Sequence, residues 1–194
     1  MKKFELTNEF ITNMFGTKLF RIRALVEFGD VEAGELGGYV EKESNLGHDD
    51  NAWVYDNAWV YGDAQVSGDA LVYDNAWVYG DAQVSGDARV CGNARVYGNA
   101  WVYGNAQVSG DARVFGDARV FGQYDYILIG AIGSRNDATT FFRLKQGGIG
   151  VKCGCFFGTI DEFEKAVHKT HAGNEHEKAY MAAIRMVKEV MIHD

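Results

Sequence analysis

From Asn51 to Gly122 the apolar positions recur with a period of six. Valine stands at 54 and at every sixth position to 120, alanine stands two places before each valine, and glycine, aspartate or asparagine separates the units. The sentence Asn/Asp-Ala-x-Val-x-Gly/Asp is written twelve times without insertion or deletion. So constant a period marks a solenoid, because stacked identical units need one. Six residues are too few for a helical repeat and suit one short strand plus one corner. Three units then close a triangular coil of a β-helix, and the twelve units make four regular coils. At about 4.8 Å per strand the prism is roughly 20 Å tall.

Within x-Val-x the side chains alternate, so valine points into the prism and its neighbours point out. Alanine fills the narrow return, and Gly, Asp and Asn take the corners, where positive φ costs them little. Taking every eighteenth residue sorts the outward pairs into three walls. The first collects Trp59/Tyr61, Trp77/Tyr79, Arg95/Tyr97 and Arg113/Phe115, an aromatic ladder. The second starts at Trp53/Tyr55 and Leu71/Tyr73, and the third ends at Trp101/Tyr103 and Arg119/Phe121; neither is aromatic throughout. A ladder of rings along a flat wall is more apolar surface than a monomer usually leaves wet. Trp59, Tyr61, Trp77, Tyr79, Tyr97 and Phe115 are therefore expected to lie in an interface between subunits of a homo-oligomer, most simply a trimer. The competing expectation is that the rings stack on one another and stabilise the coils.

The flanks read differently. Residues 1–49 form an N-terminal cap and an irregular first coil: Phe20, Ile22 and Ala24 alternate with Arg21 and Arg23 as in a hairpin strand, and Val40 and Leu46 already stand six apart. The step from Leu46 to Val54 is two residues too long, an excursion that carries His48, Asp49 and Asp50. A strand pair at this end covers what is otherwise an open sheet edge. After residue 122 a small α+β module begins. Apolar runs at 126–130, 139–144 and 149–156 read as three strands. Two helices follow: one has the capping box Thr159/Glu162 and buries Ile160, Phe163 and Val167. The other starts at Asn174 and buries Tyr180, Ala183, Ile184, Val187 and Met191. The order is β-β-β-α-α, and the chain divides at 1–49, 50–122 and 123–194.

The entry segment Val26-Glu-Phe-Gly-Asp-Val-Glu-Ala-Gly-Glu-Leu-Gly-Gly-Tyr-Val-Glu41, then Glu43-Ser-Asn-Leu46 and the Val-x-Gly-Asn/Asp-Ala repeats, resembles the YdcK-type hexapeptide-repeat proteins over about residues 1–122. The resemblance implies a mainly β fold, a left-handed parallel β-helix with a capping hairpin, in a family often labelled acyltransferase without an established reaction. The left hand is what the resemblance implies; periodicity is silent on it. The C-terminal module is similar to a small domain of phage and prophage proteins of unknown function, through Ile132-Gly-Ser-Arg-Asn-Asp137, Cys153-Gly-Cys-Phe156 and Gly158-Thr-Ile-Asp-Glu-Phe163. That likeness implies no activity.

Net charge narrows the partners. At −8 the chain is a poor match for a nucleic-acid polymer or an anionic membrane. Only residues 123–194 carry equal numbers of acidic and basic side chains. No apolar run approaches a membrane span, the first residues lack the apolar core of a secretion signal, and three cysteines form no disulfide framework, so a cytoplasmic location is expected.

Candidate chemistry is sparse. Hexapeptide acyltransferases use a histidine as general base on a coil or extruded loop, and residues 49–167 contain none, which leaves His48 as the sole candidate. Corner carboxylates such as Asp63, Asp81 and Asp117 suggest calcium, against the ordinary role of accepting backbone hydrogen bonds. Cys153, Cys155, His168 and His171 add up to a Cys₂His₂ set with a Cys-x-Cys spacing shorter than a zinc knuckle's. Free packed thiols and surface histidines are the alternative, and no cofactor is implied. The best candidate is the turn Ser134, Arg135, Asn136 and Asp137 with Thr139 and Thr140, where a forked guanidinium, hydroxyls and glycine-freed amides suit a phosphate or carboxylate. The leading expectation is a non-enzymatic oligomeric binding scaffold for a small anionic, phosphate- or nucleotide-like ligand, such as a phage protein that sequesters a host defence signal. The alternatives are an acyltransferase and a purely structural interaction protein.

Overall fold

The computed structural model describes residues 1–191. Each repeat contributes a two-residue strand, β4 to β15, from Trp53–Val54 to Arg119–Val120, and the alanine and valine of every unit are fully buried. Parallel pairing links residues eighteen apart: Trp59 to Trp77, Gln65 to Gln83, Leu71 to Arg89. The result is a three-walled parallel β-solenoid of four regular coils, as the period predicts. Backbone bonds run from coil to coil on the walls (Trp59 N–H to Ala76 O, 2.9 Å) and at the corners (Asp81 N–H to Gly98 O, 3.0 Å). At Gly86 the corner demands glycine: φ is +69°, and a Cβ would stand 3.0 Å from the backbone of Gly104 one coil on.

Several corner carboxylates are bonded along the stack. Asp69 Oδ1 accepts from the Asn51 amide at 2.8 Å, and Asp74 Oδ2 accepts from the Gly92 N–H at 3.0 Å. The Asn93 and Asn99 amides donate likewise to Asp111 and Asp117, and Asp63 pairs with Lys42.

The first coil is irregular in the expected way. Strand β3 (Leu36–Val40) aligns Tyr39 with Trp59 and Val40 with Val60, and Leu46 bridges to Val66. Strands β1 (Phe4–Thr12) and β2 (Lys18–Ala24) form the hairpin and pair antiparallel onto β3, so the cap continues the aromatic wall as one seven-stranded sheet. Register shifts on both sides of β2 break the simple alternation: Leu19 is fully buried and Phe20 is not. Trp53, assigned by alternation to an outward position on the second wall, is fully buried. Phe4 and Phe28 pack their rings edge-on against it, because the chain before β3 folds over the end of that wall.

The other end is closed by the C-terminal module. Strands β16 (Tyr126–Ile132), β17 (Asp137–Arg143), β18 (Ile149–Cys153) and β19 (Phe156–Thr159) form an antiparallel meander. Helices α1 (Ile160–His171) and α2 (Glu175–Met191) follow, with the capping box of Thr159 and Glu162 formed and the five predicted core residues of α2 buried. The order is thus β-β-β-β-α-α: the apolar run 149–156 is a hairpin, broken at Gly154, where φ is +55°. Strand β17 is shared by two cores. Phe142 packs with the solenoid interior, and Phe141 packs with Val151, Phe163 and Ile184 inside the module. Among the described residues, no helix is long and apolar enough to cross a membrane.

Candidate ligand-binding site

The aromatic wall is a stack. Trp59 and Trp77 are parallel with centroids 4.5 Å apart; Tyr61, Tyr79 and Tyr97 follow at 4.9 and 4.8 Å, and Phe115 at 4.5 Å. The Arg95 guanidinium lies 4.3 Å over Trp77 in the other column, and Phe157 of β19 meets Phe115 edge-on at 4.6 Å. Stacking buries the rings in part and pushes the pKa of the Tyr79 hydroxyl up to about 12, chiefly through desolvation. Beside the ladder, Met14 and Phe15 at the β1–β2 turn are 83% and 78% exposed and border a hollow of about 140 Å³ with Trp59, Tyr61 and Trp77.

His48 does not stand free. Its Nδ1 accepts from the Lys3 N–H at 3.2 Å, its Nε2 lies 2.9 Å from Glu43 Oε1, and its ring stacks on Phe4 at 4.5 Å. With both nitrogens engaged it fixes the cap rather than facing an acceptor. Its neighbour Lys3, buried and with its ammonium pKa lowered by that burial, donates to Ala52 O at 2.9 Å and Asp50 O at 3.1 Å, which ties down the 48–50 excursion.

The C-terminal module holds a concave site of about 220 Å³. Three parts of the chain build it. The β16–β17 turn supplies Ser134 and Arg135, the β18–β19 hairpin supplies Cys153, Cys155 and Phe156, and the two helices supply Phe163, Ala166, Val167, Thr170, His171 and Tyr180. Glycines let these parts approach. A Cβ on Gly133, at φ +67°, would stand 1.9 Å from the Tyr180 ring, and one on Gly154 would stand 2.4 Å from Arg135 Nε. The Arg135 side chain thus lies directly over the Cys-Gly-Cys turn. Ser134 Oγ is 3.4 Å from His171 Nε2, which fixes the rim opposite the apolar floor. Below them Cys153 Sγ accepts from Thr139 Oγ1 at 3.3 Å and lies 3.7 Å from the Tyr180 hydroxyl. Burial, with the Cys153 contact adding to it, pushes the pKa of that phenol up to about 12; like an ordinary phenol it is neutral near pH 7 and can donate.

The six residues expected to bind an anion do not stay together. Ser134 and Arg135 line the pocket; Asn136, at φ +48°, shapes the exposed turn, and Asp137 accepts from the N–H of Ala138. Thr139 and Thr140 are buried. Thr139 bonds to Cys153, and Thr140 Oγ1 accepts from the Arg113 N–H at 2.9 Å, joining module to solenoid. Both are structural because β17 is covered on its two faces.

The Cys₂His₂ set does not converge as ligands, although Cys153, Cys155 and His171 all border the pocket. Cys153 is buried and Cys155 exposed on opposite sides of the hairpin turn, and His168 pairs with Glu177. Among the described residues no three His, Cys, Asp or Glu side chains converge to hold a metal. What sequence reasoning missed is that two separate candidates, the arginine turn and the cysteine–histidine set through Cys153, Cys155 and His171, border one pocket. The signal for its floor is present in the apolar stripe of α1, where Phe163 and Val167 read simply as core.

A family profile described as YdcK Beta solenoid repeat matches residues 64–80, 88–104 and 106–122, so these coils carry that repeat. The matched segments lie within the regular coils and stop short of the module that holds the pocket. No curated protein matches the chain.

Proposed function

We propose that the protein is a binding scaffold whose C-terminal pocket takes a small anionic ligand, with the YdcK-type solenoid as its rigid support and self-association surface. The observation that carries the ligand reading is the placement of Arg135 at the edge of an apolar pocket of about 220 Å³. Among the described residues no carboxylate lies within ion-pairing distance of this guanidinium. A forked cation beside low-dielectric walls favours an anion more than the same cation in open water. Ser134 and the Tyr180 phenol add neutral donors to the same site.

A charge-assisted contact of this kind is worth about 1.5–3 kcal/mol, so Arg135→Ala is expected to weaken binding by roughly one to two powers of ten. The exposed position leaves the fold intact. Arg135→Lys restores only part of the affinity, because the planar fork is lost. A thermal-shift screen of small carboxylates and phosphates on the parent and both variants makes the measurement. Equal responses from the parent and Arg135→Ala, or none from the parent, would end the ligand reading.

Self-association through the first wall is supported by the half-covered ring columns and by the exposed Met14 and Phe15 beside them. The expected result is an oligomer in light scattering that dissociates when Trp59→Ser and Trp77→Ser are combined. A monomeric parent, or a mass unchanged in the double variant, contradicts it.

A further inference from the structure

We infer that the ligand of this pocket is a monocarboxylate with a compact apolar body, an aromatic or short branched acid. The inference rests on the anion-binding reading above and narrows it to a chemical class. The floor is hydrocarbon: Phe156, Phe163, Ala166 and Val167 line it, and a sugar hydroxyl placed there would give up its bonds to water without replacement. Arg135 and Ser134, with His171 3.4 Å from the Ser134 hydroxyl, are placed to hold a ligand's head and leave its body to the rings.

Size points the same way. A dry cavity of about 150 Å³ holds benzene. A site of about 220 Å³ therefore has room for one ring and a carboxylate. Pockets that enclose larger ligands run from about 300 Å³ upwards, so a nucleotide would leave most of its surface outside this one. Charge agrees with size. Among the described residues Arg135 is the only Lys or Arg lining the pocket, with the His171 imidazole on the same rim, and the nearby Lys152 ammonium is turned to the carbonyl oxygens of Gly154, at 2.7 Å, and Phe156, at 3.5 Å. One guanidinium fork matches one carboxylate, whereas a phosphate dianion calls for further positive charge.

The test titrates four probes into the full chain by calorimetry: benzoate, benzyl alcohol, inorganic phosphate and adenosine monophosphate. Benzoate is expected to bind, with benzyl alcohol at least tenfold weaker. Arg135→Gln is expected to lower benzoate affinity about ten- to hundredfold while leaving benzyl alcohol unchanged. If phosphate or the nucleotide binds in an Arg135-dependent way and benzoate does not, the anion site stands and the carboxylate class is overturned. If benzyl alcohol binds as well as benzoate and neither responds to Arg135→Gln, both readings fall. Absence of binding by all four probes also overturns both.

Discussion

Val84→Asp leaves the solenoid unfolded. Val84 is fully buried at the centre of the third wall, paired in register with Val66 on one side and Val102 on the other. Its side chain faces the alanines and valines of the prism interior, which offer a carboxylate no hydrogen-bond donor. An unpaired carboxylate there costs several kcal/mol even after it takes up a proton. A domain's whole stability is about 5–15 kcal/mol, so one such group removes most of it. The tryptophans make the loss visible, since all four lie between residues 53 and 101, within the coils. Their emission should shift to that of solvated indole without denaturant. Gln83→Asp, one residue away and pointing outward from an exposed site, places the same charge in water and should change stability by less than about 1 kcal/mol. Folded Val84→Asp protein with native emission would mean that the interior is wet or loosely packed.

The period makes the coils legible because every unit repeats the same local problem: one inward valine, one small return residue, one corner. Where the environment is not repeated, the pattern misleads. Trp53 obeys the rule for an outward residue and is buried, since Phe4 and Phe28, remote in sequence, cover it. Leu19 and Phe20 exchange the burial that alternation assigns because β2 is irregular on both sides. Cys153-Gly-Cys155 reads as part of a continuous apolar strand, and only the positive φ of Gly154 turns it into a hairpin. The doublet Gly147-Gly148 announces its turn; the single glycine at 154 carries the same meaning with less emphasis.

The pocket is legible only in pieces. Arg135 stands out by its residue type among turn formers, and α1 and α2 stand out by their apolar stripes. Nothing local states that the turn at 133–136 packs against α2. That contact depends on Gly133, whose lack of a side chain admits the Tyr180 ring, and such complementarity emerges only when both elements are placed. Thr139 and Thr140 show the reverse error. Their hydroxyls suggest ligand donors, yet a strand enclosed between two cores uses them to satisfy a thiol and a backbone amide.

Gly133→Ala is expected to destabilise the C-terminal module while leaving the coils folded. The added methyl would overlap the Tyr180 ring at 1.9 Å, and that ring is held by Phe163 at 5.4 Å and sits in the module's core. Forcing it aside costs about 1–3 kcal/mol in packing, and alanine at φ +67° adds about 1 kcal/mol or more of backbone strain. Gly148→Ala separates the two terms: its φ is +78°, but a Cβ there meets nothing within 4 Å, so only the strain remains. Two probes report on different regions. The α-helices among the described residues, α1 and α2, are both in the module, whereas all the tryptophans are in the solenoid. In Gly133→Ala the ellipticity at 222 nm should therefore be lost at lower urea than in Gly148→Ala, while the tryptophan transition stays in place. Because Thr140 and Phe142 join β17 to the last coil, the opposite outcome has a clear meaning. If both signals move together, module and solenoid unfold as one unit, and the pocket draws its rigidity from the whole prism.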